Sequence, residues 1–218
     1  MSMARELLRL YFVMGSSNCR DQDPLKVLQA AIDGGISLFQ YREKGANAKT
    51  GEEKKKLAEK LMAKCRMAGI PFIVNDDVEL ACSIGADGVH IGQDDGSILE
   101  IRKRMEGKLL GVSVHNVQEA NEALIMGADY LGVGPMYFTS TKEDLHEIQG
   151  PGVIQQIRAA GVNLPIVGIG GITFENVMDV INAGADGVAI ITAITHAQSP
   201  LEAAKELREM VEKAESSF

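Results

Sequence analysis

Tryptophan is absent from this 218-residue chain, and cysteine occurs only three times. Cys19, Cys65 and Cys82 are odd in number, widely spaced and without a CxxC pair. That excludes a disulfide framework or a zinc ribbon and fits a reduced, cytoplasmic protein. No apolar run approaches the roughly 20 residues that a membrane span needs. Leu10-Tyr11-Phe12-Val13-Met14, near the N-terminus, is strand-sized and too short for a signal-peptide core. Positive charge is also scarce: 22 Lys and Arg against 30 Asp and Glu leave a net charge of −8. This balance argues against nucleic acid or an anionic membrane as partner. An acidic protein that binds anions must concentrate its cations locally, so Lys and Arg at strand ends become informative. The acidic, Trp-free surface marks no subunit interface and leaves the oligomeric state open.

What the chain has in quantity is apolar residues, at 45%, and glycine, at 23. Apolar strand-length runs fall near 8–14, 37–42, 71–75, 88–92, 109–114, 129–134, 165–169 and 187–192. Amphipathic helical patterns fall near 24–33, 51–68, 77–84, 97–106, 116–126, 151–160, 173–183 and 199–215. The strands show little polar alternation, as expected when both faces are covered. Thr50/Glu53, Ser97/Glu100 and Asn116/Glu119 have capping-box spacing, and Ser199-Pro200 suits a helix start.

An internal repeat organises the alternation. AIDGGISLFQ at 31, CSIGADGVHI at 82, LIMGADYLGV at 124 and VINAGADGVAI at 180 each run from a helix end through Gly into a strand. Their period, roughly two βα units, marks strands 2, 4, 6 and 8. Eight βα units predict an α/β fold, a (β/α)₈ TIM barrel. An open doubly wound sheet is the weaker option, because no GxGxxG opens the first helix. No linker-like run divides the chain, so residues 1–218 are expected to form one domain.

Barrel function sits at the C-terminal rim, so the strand ends carry the argument. Strand 2 ends in Gln40-Tyr41-Arg42-Glu43-Lys44. Period-2 geometry turns Gln40, Arg42 and Lys44 toward the lumen mouth and Phe39 and Tyr41 toward the helices. Two cations and an amide on one face suit a phosphate-bearing ligand, although a solvated strand end would look the same. Strands 3 and 4 end in Asn75-Asp76-Asp77 and Gln93-Asp94-Asp95. Neighbouring parallel strands bring Asp76 and Asp95 side by side, an oxygen-rich site for Mg²⁺. The alternative is that Asp76, Asp77 and Asp95 merely cap the following helices.

Strand 5 offers Ser113, with no evident base beside it, as a hydrogen-bond donor. His90 and His115 lack HxH or HxxxH spacing and read as satisfied strand-end residues. After strand 6, Thr139-Ser140-Thr141-Lys142 opens a long polar connection to Gly150 that resembles a lid. Gly170-Gly171 after strand 7, and Ile191-Thr192 in a strand 8 expected to run on toward Ile194, suit a phosphate cradle. Two anionic regions at one rim suit two phosphorylated substrates.

These motifs, in order, closely resemble the thiamine-phosphate synthase family: QYREK at 40–44, VNDD at 74–77, GADGVHIGQDD at 85–95, GVSVHN at 111–116, GPMYFTSTK at 134–142, GIGGI at 168–172 and AIITAI at 189–194. The resemblance covers essentially the whole chain. It implies a transferase of thiamine biosynthesis that joins hydroxymethylpyrimidine diphosphate to hydroxyethylthiazole phosphate, releasing pyrophosphate through a dissociative pyrimidine cation. It further implies that Gln40, Arg42, Lys44 and Asn75 hold the pyrimidine diphosphate and that Asp76 and Asp95 hold Mg²⁺. Ser113 and Lys142 would contact the diphosphate, and Arg42, Ser113 and Lys142 would act in catalysis. Thr139, Thr141, Gly171, Ile191 and Thr192 would cradle the thiazole phosphate. The chain departs from the pattern at Phe138, usually Pro, and at Thr192, commonly Ser. A related thiazole tautomerase branch resembles this chain less, because it carries His where Pro135 stands and lacks the pyrimidine-diphosphate residues. A phosphosugar epimerase or aldolase would not require the Asp76/Asp95 pair, and a non-catalytic phosphate-binding relative would be expected to have lost part of the polar set.

Overall fold

A computed structural model describes residues 3–45, 47–139 and 147–215. Eight parallel strands close on themselves, with β1 (Leu10–Met14) paired to both β2 (Leu38–Tyr41) and β8 (Gly187–Ile190). Between them run β3 (Phe72–Asn75), β4 (Gly88–Ile91), β5 (Leu109–Val114), β6 (Tyr130–Val133) and β7 (Ile166–Ile169). The outer helices are α2 (Pro24–Asp33), α3 (Gly51–Met67), α4 (Val78–Ile84), α5 (Ile98–Arg104), α6 (Val117–Ile125), α7 (Gly152–Ala159), α8 (Val177–Asn182) and α10 (Pro200–Glu215). This is the (β/α)₈ barrel that the repeat predicts. Three short helical elements were not evident from periodicity: α1 (Met3–Leu7), ahead of β1, a 3₁₀ turn (Ser16–Cys19) after it, and α9 (Thr192–Thr195), which ends the expected run of strand 8 at Ile190.

Side-chain alternation splits the apolar residues into two cores. Tyr11, Val13, Leu38, Ile73, Tyr130, Val167 and Ala189 fill the lumen, with Leu8 joining them from below β1. The alternate residues, Phe12, Phe39, Tyr41 and Phe72 among them, lie in the larger core between sheet and helices. Their rings form a band across β1, β2 and β3, with centroids 5.7 Å apart for Phe12–Phe39 and 5.5 Å for Phe39–Phe72. Placing Phe39 and Tyr41 outside fixes the parity that turns Gln40 inward.

The internal repeat has a physical cause. In each copy a glycine with positive φ (Gly35, Gly85, Gly127 and Gly184) turns the chain out of a helix, a conformation that glycine adopts without steric cost. Two residues on, a polar side chain accepts the N–H of a residue at the start of the preceding odd strand. Ser37 Oγ takes Leu10 N–H at 2.9 Å, and Asp87 Oδ2 takes Phe72 N–H at 2.9 Å. Asp129 Oδ2 takes Leu110 N–H at 2.7 Å, and Asp186 Oδ2 takes Ile166 N–H at 2.8 Å. The N–H of each clamping residue returns a bond to the carbonyl of the same partner, at 2.8–2.9 Å. Arg102 and Arg158 then pair with Asp129 and Asp186, at 2.8 and 2.6 Å. These clamps tie the strands together at the N-terminal rim, away from the site.

The expected caps are mixed. Ser97, Asn116 and Ser199 accept the N–H of Glu100, Glu119 and Glu202. Thr50 makes no side-chain cap bond to α3, correcting that expectation.

Asp186→Ala leaves the Ile166 N–H without its side-chain acceptor and strips the half-buried Arg158 of its carboxylate, leaving it the carbonyls of Val162, Leu164 and Gly184. The expected cost is about 2–4 kcal/mol in denaturant unfolding, from an unsatisfied donor plus a broken ion pair. A loss below about 0.5 kcal/mol, the range of ordinary surface substitutions, would contradict the clamp.

Candidate active site

Loops 1 and 2 are stitched together before they present anything. Gly15 lies so close to loop 2 that a Cβ there would sit 2.1 Å from Arg42 O. Arg42 N–H donates to Met14 O at 3.0 Å, extending the β1–β2 pairing past the strand. The hub is Glu43, which is buried. Its carboxylate accepts the N–H groups of Ser16 and Lys49, each at 2.8 Å, and the Ser16 hydroxyl. Sequence reasoning gave Glu43 no role, although its parity with Phe39 and Tyr41 places it off the lumen face. With that hub in place, Arg42 and Lys44 project into one hollow together with Asn75, Asp76, Asp95 and Ser113. Gln40 sits lower than expected. It is buried in the lumen, where Nε2 donates to Tyr11 Oη at 2.7 Å.

The three consecutive polar residues after β3 separate by task. Asp77 caps α4, its Oδ1 accepting Leu80 N–H at 2.9 Å while Oδ2 takes Lys54 Nζ at 2.6 Å. Desolvation opposes its ionisation, but these bonds win and hold Asp77 below the usual carboxylate range. Asp76 is no cap. It stands at φ 60°, rare for a residue with a Cβ, where asparagine and aspartate are the tolerated choices. Its N–H donates to His90 O at 2.8 Å, its carboxylate pairs with Lys44, and it faces Asp95 within hydrogen-bonding reach. Burial, then Asp95, raises its pKa against the pull of Lys44. Asp95 is itself desolvated, yet its contacts with Asp76 and with Gly92 N–H, at 2.7 Å, hold its pKa down. Strained backbone at such a position is characteristic of functional sites.

Two converging carboxylates, one held against its preference for charge, fit a hard cation. Among the described residues no third His, Cys, Asp or Glu joins them. That donor set suits Mg²⁺, which keeps waters and completes its shell with substrate phosphate.

A second hollow opens across the rim, lined by Gly134, Tyr137, Phe138, Thr139, Gly170, Gly171, Ile191 and Thr192. Loop 6 is zipped onto loop 7 by Met136 N–H to Ile169 O and Tyr137 N–H to Gly170 O, both 2.9 Å. Gly171, at φ 64°, accommodates this approach, since a Cβ there would meet Phe138 O at 2.4 Å. Thr192 opens α9 and does not continue the strand, so the Ile191-Thr192 amides belong to a helix start. Loops 7 and 8 with a short extra helix are the usual barrel phosphate site. Thr141 and Lys142 lie outside the described residues.

Ser113 and His115 line both hollows. His115 is held by Glu119, Nδ1 to Oε2 at 2.8 Å. The expectation that Ser113 has no base beside it is corrected: His90 Nε2 lies 2.9 Å from its Oγ. The two come from adjacent strands, a neighbour relation that spacing along the chain does not display.

Residues 10–194 match the family model for thiamine monophosphate synthase. The chain belongs to that family. Curated relatives named thiamine-phosphate synthase include one from Bacillus thuringiensis (strain Al Hakam), 53% identical over 96% of this chain and 95% of the relative. Another, from Geobacillus kaustophilus (strain HTA426), is 54% identical over 96% and 95%. Among solved structures, a thiamine phosphate pyrophosphorylase from Pyrococcus furiosus matches with TM-score 0.85 and 31% identity, covering 96% of this chain and 98% of that one. Of the residues assigned by motif, Arg42, Lys44, Asn75, Asp76 and Asp95 line the first hollow, Thr139, Gly171, Ile191 and Thr192 the second and Ser113 both, while Gln40 lines neither.

The division between Asp76 and Asp77 is testable. Asp76→Asn keeps a residue tolerant of φ 60° and removes a carboxylate whose ionisation burial and Asp95 oppose against the pull of Lys44. The metal-free variant is therefore expected to melt no lower than the parent at neutral pH, while losing the rise in Tm that Mg²⁺ gives. Asp77→Ala is expected to cost about 1 kcal/mol at neutral pH and to keep the Mg²⁺ response. Because the Asp77 pKa is depressed in the fold, its contribution is complete above 3.8, the ordinary value. The gap between parent and variant should close as pH falls below that value. A persistent Mg²⁺ response in Asp76→Asn would contradict the assignment.

Proposed function

We infer that the protein is a thiamine-phosphate synthase, a transferase that forms the bond between a pyrimidine methylene and a thiazole nitrogen. The observation that carries the reading is the pair of adjoining hollows sharing Ser113 and His115. One is built for a diphosphate with a metal and the other for a monophosphate, so the two substrates meet with their reactive ends together. Curated relatives of the same name support it across nearly the whole chain.

In the first hollow Arg42 and Lys44 take the diphosphate oxygens, Arg42 by a planar fork suited to phosphate. Asn75 and Ser113 donate neutral hydrogen bonds, and Gln40 meets the pyrimidine from below. Asp76 and Asp95 hold Mg²⁺, which when bound supplies charge neutralisation for the diphosphate. In the second hollow the amides around Gly171 and Ile191-Thr192, with the Thr139 and Thr141 hydroxyls, receive the thiazole phosphate. Lys142 supplies a further cation to the diphosphate.

The carbon–oxygen bond to the diphosphate breaks first, and its electron pair leaves with pyrophosphate. The resulting pyrimidine methylene cation is then captured by the thiazole nitrogen lone pair. This sequence requires no protein nucleophile. It requires fixed positive charge where negative charge gathers, which Arg42, Lys44 and Lys142 provide. A cytoplasmic location agrees with three unpaired cysteines. Burial raises the Cys65 thiol to about 12, leaving it inert. Among the described residues no helix is long and apolar enough to cross a membrane.

The direct assay supplies both substrates with Mg²⁺ or with EDTA and follows thiamine phosphate by its oxidation to a fluorescent thiochrome. Product is expected only with the metal. Arg42→Ala and Asp95→Ala are each expected to lower turnover by about 10²–10³, the range for a preorganised charge stabiliser. No product from verified substrates in any condition would overturn the reading.

A further inference from the structure

Below the rim, a file of hydrogen bonds crosses the lumen from Gln40 to Ser113. Gln40 Nε2 donates to Tyr11 Oη at 2.7 Å, and Tyr11 Oη lies 2.8 Å from Tyr130 Oη. Tyr130 Oη lies 3.1 Å from His90 Nδ1, and His90 Nε2 lies 2.9 Å from Ser113 Oγ. We propose that Tyr11, Tyr130 and His90 are positioning residues that fix which hydrogen-bonding atoms Gln40 and Ser113 present to the pyrimidine substrate. The role rests on the thiamine-phosphate synthase reading.

The file is a built feature. Its middle members come from β1, β6 and β4 and are buried. The lumen makes room for them with two glycines. A Cβ at Gly111 would lie 2.1 Å from Tyr130 Cζ and 2.4 Å from His90 Nδ1. A Cβ at Gly132 would lie 2.9 Å from His90 Cε1. Leucine or valine, as elsewhere in the lumen, would fill the space without buried polar atoms to satisfy.

Donor and acceptor roles follow link by link. An amide nitrogen only donates, so Tyr11 accepts from Gln40. Its own proton goes to Tyr130, its other hydrogen-bond partner among the described residues. With the imidazole neutral, as we propose for the substrate-free protein, Tyr130 donates to Nδ1 and leaves Nε2 to carry the proton and donate to Ser113 Oγ. At one end Gln40 is left with Oε1 as an acceptor, the partner for an exocyclic amine on the pyrimidine. At the other, the Ser113 hydroxyl proton is left to point at a diphosphate oxygen. The same polarity denies His90 a lone pair facing Ser113. The pair therefore does not make a nucleophile, despite its hydrogen-bonded geometry. Burial raises both phenols well above their ordinary value and keeps them donors.

The experiment combines kinetics with ¹⁵N NMR of the histidines in substrate-free protein. Wild type is expected to show His90 as the Nε2–H tautomer. Tyr130→Phe and Tyr11→Phe are expected to raise KM for the pyrimidine diphosphate about tenfold, as for one lost hydrogen bond to a bound group. KM for thiazole phosphate should stay within about twofold. Tyr130→Phe should also lose the single-tautomer signature. Ser83→Ala, which removes a hydroxyl that donates to Leu80 O within α4, is the structural control and should leave both constants unchanged. Active wild-type protein carrying the proton on Nδ1, or both tyrosine variants with unaltered pyrimidine KM, would overturn the relay. Inactive wild-type protein with Nε2–H on His90 would instead overturn the assigned reaction, and with it the role given to the relay. Should Tyr130→Phe fail to fold, Tyr11→Phe carries the kinetic test alone.

Discussion

Closure of the parallel sheet governs everything above it. When eight strands run the same way around a ring, every C-terminal end arrives at one rim, and alternate residues have only a narrow lumen to occupy. Leu8 packs with the lumen side chains from below β1, and the clamps of Ser37, Asp87, Asp129 and Asp186 secure the far rim. Those bonds free the near rim from a structural role. Its loops can hold strained backbone, as at Asp76, and converging like charges, as between Asp76 and Asp95.

Electrostatics at that rim run against the character of the chain. A protein of net charge −8 gathers Arg42 and Lys44 at the first hollow and backbone amides at the second. The two solutions suit different loads. A diphosphate about to leave with an extra electron pair calls for full charges and a cation. A monophosphate that stays attached needs only binding, which amides and hydroxyls supply without long-range repulsion of the partner substrate's reactive cation. Ser113 and His115 stand on the seam.

Much of this was legible in the chain because barrels convert order into position. Strand parity put Gln40 inward and Phe39 outward, and the spacing of VNDD and GQDD brought Asp76 beside Asp95. The helix-end repeat was visible, but its cause was not, since the bond from Asp186 to the Ile166 N–H joins residues 20 apart. What escaped were relations between strands. His90 beside Ser113 depends on the β4–β5 register, and the Tyr11–Tyr130 contact spans the lumen between residues 119 apart. Tyr11 sat in an apolar run that read as a plain core strand. Helix α9 was hidden because Ile191 and Ile194 extend the strand's apolar pattern across a turn. Glu43 was overlooked as one charge among three in QYREK.

The proposed chemistry depends on where metal and substrates sit relative to the seam between hollows. The most direct measurement is anomalous diffraction from crystals grown with Mn²⁺, a non-reacting pyrimidine diphosphate analogue and thiazole phosphate. The predicted result is one manganese peak bridging Asp76 and Asp95, with the thiazole phosphate on the Gly171 and Thr192 amides and its nitrogen turned toward the pyrimidine methylene. A peak elsewhere, or a thiazole phosphate seated beside Arg42 and Lys44, would contradict it.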